Sequence, residues 1–105
     1  MDQILIRLAR ELGLKQNQVQ SCVALLDEGN TVPFISRYRK EATGEMDETQ
    51  IRDLQERLTY LRNLEAEKEK VLRVIAEQGK LTPELEQAIK NAEKLQEVED
   101  LYRPY

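Results

Sequence analysis

Histidine and tryptophan are both absent from this 105-residue sequence. Without histidine the chain lacks the usual general base, the usual partner of a nucleophilic Ser or Cys, and the commonest nitrogen ligand for zinc. The single cysteine, Cys22, rules out an internal disulfide and a thiolate metal cluster. Set among Val19, Val23, Leu25 and Leu26, it reads as a small buried hydrophobe. Four glycines and three prolines are too few for the turns of a sheet meander, and they fall where periodic stretches end. No apolar run approaches the ~18 residues of a membrane span, and Met1-Asp2-Gln3 lacks a basic leader region. Neither secretion nor a membrane partner is expected.

What is present fits a folded helical domain better than a disordered tail: 40% of residues are hydrophobic and 34% charged. The net charge of −4 is unevenly spread. Residues 1–40 hold six Lys or Arg against four Asp or Glu, a net +2, whereas residues 41–105 hold ten against sixteen, a net −6. An acidic surface over most of the chain repels a phosphate backbone, so the chain by itself is expected to bind RNA or DNA weakly if at all.

Apolar spacing predicts an all-α fold, in which short N-terminal helices pack on a long central helix and one or two C-terminal helices follow. A first helix over about residues 2–12 is drawn by Ile4, Leu5, Leu8, Ala9 and Leu12, with Gly13 as its stop and Arg7, Arg10 and Glu11 in water. A second runs from about Lys15 or Asn17 to Glu28 with Val19, Cys22, Val23 and Leu26 inward, closed by positive φ at Gly29-Asn30. Two short helices joined by a turn have a helix-turn-helix outline, which many small helical domains share. Thr31 caps a third helix, over about residues 31–42, with Pro33 in its first turn. There Phe34 and Tyr38 stack at four-residue spacing, and Arg37, Arg39 and Lys40 ring the C-terminal end, where positive charge suits the helix dipole.

Asp47 and Gln50 form a capping-box pattern ahead of a stretch free of Gly and Pro from Glu48 to about Gln78. A helix of roughly 30 residues, about 45 Å long, is expected there. Its apolar residues are Ile51, Leu54, Leu58, Leu61, Leu64, Val71, Leu72 and Ile75, but continuing the first seam brings Glu65 and Lys68 onto it. The stripe therefore suits two different packing surfaces rather than one coiled coil. After Gly79, Thr82-Pro83-Glu84 restarts a helix. Leu85, Ala88, Ile89 and Ala92 form one face and Leu95, Val98, Leu101 and Tyr102 another; one helix or two bent near Asn91-Ala92 both fit. The expected organisation is a short-helix subdomain over 1–45 and a long helix with a C-terminal helical hairpin over 46–105.

No catalytic, cofactor or metal-binding set emerges. Glu65 with Glu69, and Asp53 with Arg57, lie one turn apart among Arg62, Lys68 and Lys70, as on a solvated helix face. A magnesium site would need a phosphate loop or a third ligand, and neither is present. Arg37, Tyr38, Arg39 and Lys40 are the candidates for a nucleic-acid or partner contact, since Arg and Lys pair with phosphate and Tyr stacks on bases. Intramolecular salt bridges and packing would use the same residues. Tyr102 and Tyr105, near an end without a polar tail, are candidates for packing against another domain of a longer protein.

The run Leu26-Asp27-Glu28-Gly29-Asn30-Thr31-Val32-Pro33-Phe34-Ile35-Ser36-Arg37-Tyr38-Arg39-Lys40-Glu41-Ala42-Thr43-Gly44 closely resembles the N-terminal region of bacterial transcription accessory proteins of the Tex family. Leu58-Thr59-Tyr60-Leu61-Arg62-Asn63-Leu64 and Glu97-Val98-Glu99-Asp100-Leu101-Tyr102-Arg103-Pro104-Tyr105 agree with it. The resemblance implies a part of a larger cytoplasmic protein, similar in build to the eukaryotic elongation factor that travels with RNA polymerase. Such proteins carry a nuclease-like domain regarded as catalytically inactive, helix-hairpin-helix modules and an RNA-binding OB-fold barrel. Nucleic-acid binding would then fall mainly to that barrel. The segment after Tyr105 would be basic, so the acidic balance of this chain understates its intact surroundings.

Two functions remain open. One is a non-catalytic helical scaffold that holds the remaining domains of a transcription accessory factor and touches RNA polymerase or ribosome-associated partners. The other is a helix-turn-helix-like domain over residues 15–42 that binds DNA or RNA directly through the basic patch at 37–40.

Overall fold

The structure, a computed structural model, describes residues 2–105. Among the described residues there are seven helices and no strand: α1 (Gln3–Leu12), α2 (Gln16–Asp27), α3 (Val32–Tyr38), α4 (Lys40–Thr43), α5 (Glu48–Glu77), α6 (Pro83–Asn91) and α7 (Leu95–Tyr102). The all-α expectation and the long central helix are both met. The C-terminal segment is two helices, parted at Ala92, whose backbone is extended.

Local chemistry accounts for most boundaries. Asp2 Oδ1 accepts from the Ile4 amide at 2.8 Å and opens α1. Thr31 Oγ1 accepts from the Phe34 amide at 3.2 Å and Thr82 Oγ1 from the Leu85 amide at 3.1 Å, each with proline in the first turn. Asp47 and Gln50 complete a reciprocal capping box, with bonds of 3.0 and 2.8 Å between each backbone N–H and the other's side-chain oxygen. At the end of α2 only Gly29 of the expected Gly-Asn pair takes a positive φ, of 95°. Asn30 contributes differently: its side-chain amide donates to the Leu25 carbonyl at 2.8 Å.

Three sequence expectations need correction here. The segment at 31–42 is not one helix, because Arg39 leaves helical geometry (φ −127°, ψ 36°) and serves as the end of α3 and the start of α4. On α2 the fourth inward residue is Leu25, 6% exposed, while Leu26 is half-buried. Ala88, assigned to an apolar face, is exposed.

The chain forms two compact units, the first ending at Leu61 and the second spanning Arg62–Tyr105. In the first, Leu8, Val19, Cys22, Ile35, Ile51 and Leu54 are fully buried. Burial pushes the Cys22 thiol up to about 11, so it is an unreactive packing group. In the second unit Leu64, Val71, Ile75, Ile89 and Val98 are fully buried. Each such side chain contributes roughly 1.5–3 kcal/mol.

Helix α5 runs through both units, and its buried residues divide where the units do. Ile51, Leu54, Leu58 and Leu61 follow steps of three and four, as do Leu64, Lys68, Val71 and Ile75. Between them, Leu58–Leu61–Leu64 takes two successive steps of three, which interrupts the alternation of threes and fours. Lys68 occupies a core position, 6% exposed. Its stem fills the stripe, and its ammonium donates to the Lys90 carbonyl at 2.8 Å with Glu65 at 3.5 Å. That carbonyl belongs to the last turn of α6, where a cation complements the helix dipole.

The end of α4 is tied back to α2 by Gln18. Its side-chain N–H group donates to the carbonyls of Thr43 at 3.0 Å and Gly44 at 3.3 Å, while its oxygen accepts from the Lys15 amide at 3.1 Å and caps α2. Gly44 sits at φ 67°, and a Cβ there would lie 2.5 Å from Gln18 Nε2. Gly13, at φ 68°, has open space around it. Both Gly13→Ala and Gly44→Ala should cost about 1 kcal/mol for the left-handed backbone. Gly44→Ala should cost about a further 1 kcal/mol as the Gln18 amide gives up its bonds. Urea unfolding of the two variants measures the difference, and equal losses would remove the Gln18 tie from this description.

Candidate functional site

The basic and aromatic patch is built on α3. Val32 and Ile35 are buried on one side of this helix, which leaves Phe34, Arg37 and Tyr38 on the other at i, i+3 and i+4. Phe34 is 43% and Tyr38 65% exposed. Their ring centroids lie 5.3 Å apart with planes inclined by 49°, a tilted aromatic pair. Arg37 and Lys40 are exposed, Lys40 as the first residue of α4. Arg39, at the junction, is drawn to Glu41 by a bond of 2.8 Å from Nε to Oε1, and this guanidinium holds the Glu41 carboxyl below its ordinary range. Phe34, Arg37 and Tyr38 thus share one face of α3, and Lys40 is exposed at the start of the next helix, while Arg39 is already paired. Of the other two candidates, Tyr102 is half-buried and Tyr105 is 40% exposed, joined by a backbone bond of 2.9 Å.

A second constellation went unseen in the sequence. Glu11 of α1 receives two bonds from Arg57 of α5, Nε to Oε1 at 2.6 Å and Nη2 to Oε2 at 3.1 Å. Arg7 adds a third, Nε to Oε2 at 2.7 Å. The Arg57 guanidinium also lies 4.7 Å above the Tyr60 ring. Arg7 and Glu11 therefore do not simply face water as expected; their side chains are only 19% and 27% exposed. Arg57, expected on a solvated face with Asp53, reaches across to α1 instead. No local signal marks a pair 46 positions apart. Glu11, Leu12, Asp53, Glu56, Arg57 and Tyr60 line an open groove of about 410 Å³.

The charge state of this clamp follows from its bonds. The Arg57 bonds above all hold the Glu11 carboxyl down at about 2, overcoming the upward push of desolvation with further help from Arg7, and Glu11 in turn pushes the Arg57 guanidinium up. An ionised, fully bonded carboxylate has no proton to give at neutral pH and is a poor general acid. Among the described residues no group of three or more Cys, Asp or Glu side chains is arranged to hold a metal ion, and no helix is long and apolar enough to cross a membrane.

A family model described as the Tex-like protein N-terminal domain matches residues 2–76. The chain belongs to this family. The matched span closes within one residue of the end of α5. This Tex-like domain is 59% identical over 99 residues to the protein YdcI of Bacillus subtilis, a match covering 94% of the chain and 14% of YdcI. It is 55% identical over 102 residues to the protein tex of Bordetella pertussis, covering 97% of the chain and 13% of that protein. To the transcriptional accessory protein Tex of Neisseria gonorrhoeae it is 53% identical over 98 residues, covering 93% and 13%. The chain thus spans about one seventh of the length of these relatives.

The clamp makes stability depend on pH in a definite direction. A carboxyl whose folded value lies below its unfolded value of 4.5 stabilises the fold above that value, and the contribution is lost as pH falls toward 2. Solvent at the groove screens the pair, so Glu11→Gln should cost about 1–2 kcal/mol at pH 7. Thermal melts from pH 7 to pH 2 should show the parent and E11Q converging as pH falls, and a constant gap would contradict the assignment.

Proposed function

We propose that this Tex-like domain is a non-catalytic helical scaffold of a transcription accessory factor, and that the longer protein binds nucleic acid mainly through other domains. The remaining domains are its first partners, with RNA polymerase or ribosome-associated proteins beyond them, in the cytoplasm. The observation that carries this reading is the use of charge inside the fold. Glu11 is consumed by Arg57 and Arg7 across α1 and α5, and Lys68 by the end of α6. These charged groups are engaged in bracing helices. The transcriptional role of the Neisseria gonorrhoeae relative, as its name states, supports the process assigned.

Direct binding of DNA or RNA through the 37–40 patch is the second reading, favoured by the exposure of Arg37, Tyr38 and Lys40 beside Phe34. It is weakened by the pairing of Arg39 with Glu41 and by the net charge of −4. The two readings separate in a gel-shift titration at low salt with labelled single-stranded RNA and duplex DNA, comparing this chain, its R37E/R39E/K40E variant and a full-length family member. On the scaffold reading the full-length protein binds tightly, and the chain and its variant bind equally weakly or not at all. Salt-sensitive binding by the chain that the triple reversal abolishes would overturn it.

A further inference from the structure

Phe34, Tyr38 and Tyr105 are the large hydrophobic residues left most exposed among the described residues, and the first two adjoin on one face of α3. A single exposed ring is ordinary; two in contact, flanked by cations, form a patch of the composition that recurs at protein interfaces. Arg37 sits one turn from Phe34 on the same side, and Lys40 begins the next helix. No carboxylate pairs with either cation among the described residues, whereas the intervening Arg39 is neutralised by Glu41. Two open positive charges beside an apolar surface call for an occupant with few negative charges and an apolar anchor.

We infer that the Phe34–Arg37–Tyr38–Lys40 surface is a docking site for an acidic peptide segment of a protein partner, with an apolar side chain set on the two rings and carboxylates paired to Arg37 and Lys40. Three observations favour this occupant over a nucleic-acid strand. Ring planes inclined by 49° are not a pair of parallel platforms for successive bases. Only two cations are open, too few for the several phosphate contacts that give a polyanion useful affinity. Glu41, with its side chain 68% exposed, places negative charge at the edge of the patch, as does the exposed Glu45. A phosphate every few ångströms would meet those acids, while a peptide can set its carboxylates to avoid them. Arg and Tyr are also the residue types that most often dominate protein–protein affinity.

This step goes beyond the bracing role, and its failure would leave that role intact. The test is an NMR titration of isotope-labelled chain with a short glutamate-rich peptide carrying one leucine and one phenylalanine at its centre. A lysine-for-glutamate version of the peptide and a single-stranded oligouridine are the parallel arms. Expected are shifts confined to residues 34–40 with the acidic peptide, little change in the other arms, and affinity at least about tenfold weaker in R37E/K40E and in F34A/Y38A. Both variants should melt with the parent, which separates loss of docking from loss of fold. The inference fails if the acidic peptide leaves the patch unperturbed, if oligouridine perturbs it more strongly, or if the variants bind like the parent. Oligouridine binding at the patch would also count against the scaffold reading, whereas no binding in any arm would not.

Discussion

Thirty residues of uninterrupted helix must keep their apolar stripe out of water, and the rest of the architecture answers to that demand. Backbone propensity alone leaves an isolated helix marginal, so α5 depends on what covers it. The covering is not uniform, because the successive steps of three at Leu58–Leu61–Leu64 break the repeat just where the chain divides into its two units. One rod thereby serves two cores. Its only charged core position, Lys68, is reconciled with burial by the last turn of α6, which supplies both a carbonyl acceptor and the negative end of a dipole.

Polar groups hold the shorter elements in place. Gln18 closes the start of α2 and the end of α4 with one side chain, and Arg57 joins α5 to α1 through Glu11. Such bonds contribute a modest 1–3 kcal/mol each, less than the apolar core as a whole, but they are directional. The core supplies most of the stability, and these ties choose among the ways in which short helices could lie on it.

The capping residues Thr31, Asp47 and Thr82 and the stops at Gly13 and Gly79 could be read in advance because each acts within four residues of itself. So could the inward set Ile51, Leu54, Leu58 and Leu61, fixed by helical period alone. Arg39 offered no such mark: it breaks the helix at a residue that is neither Gly nor Pro, and the contacts that hold the following turn come from α2. Glu11 and Arg57 looked like surface charges because each has an opposite charge within four residues of it, Arg7 and Asp53, and only the tertiary fold reveals the longer pairing. Met46, 1% exposed, lies in a turn between helices where periodicity says nothing. The aromatic partner of the basic patch, Phe34, was visible as a helical neighbour of Tyr38, but its exposure was not.

Membership of the Tex-like family rests on the span from α1 to α5. The family span ends with α5, so the long helix closes the family domain as its spine and α6 and α7 follow it. Continuity of that spine between the two cores is therefore the property to test. Residue-resolved amide hydrogen exchange across residues 55–70 measures it directly. Protection that continues unbroken through Arg62 and Asn63, at a level comparable to the flanking turns, is the expected result; rapid exchange confined to those residues would show two separate helices and contradict the shared spine.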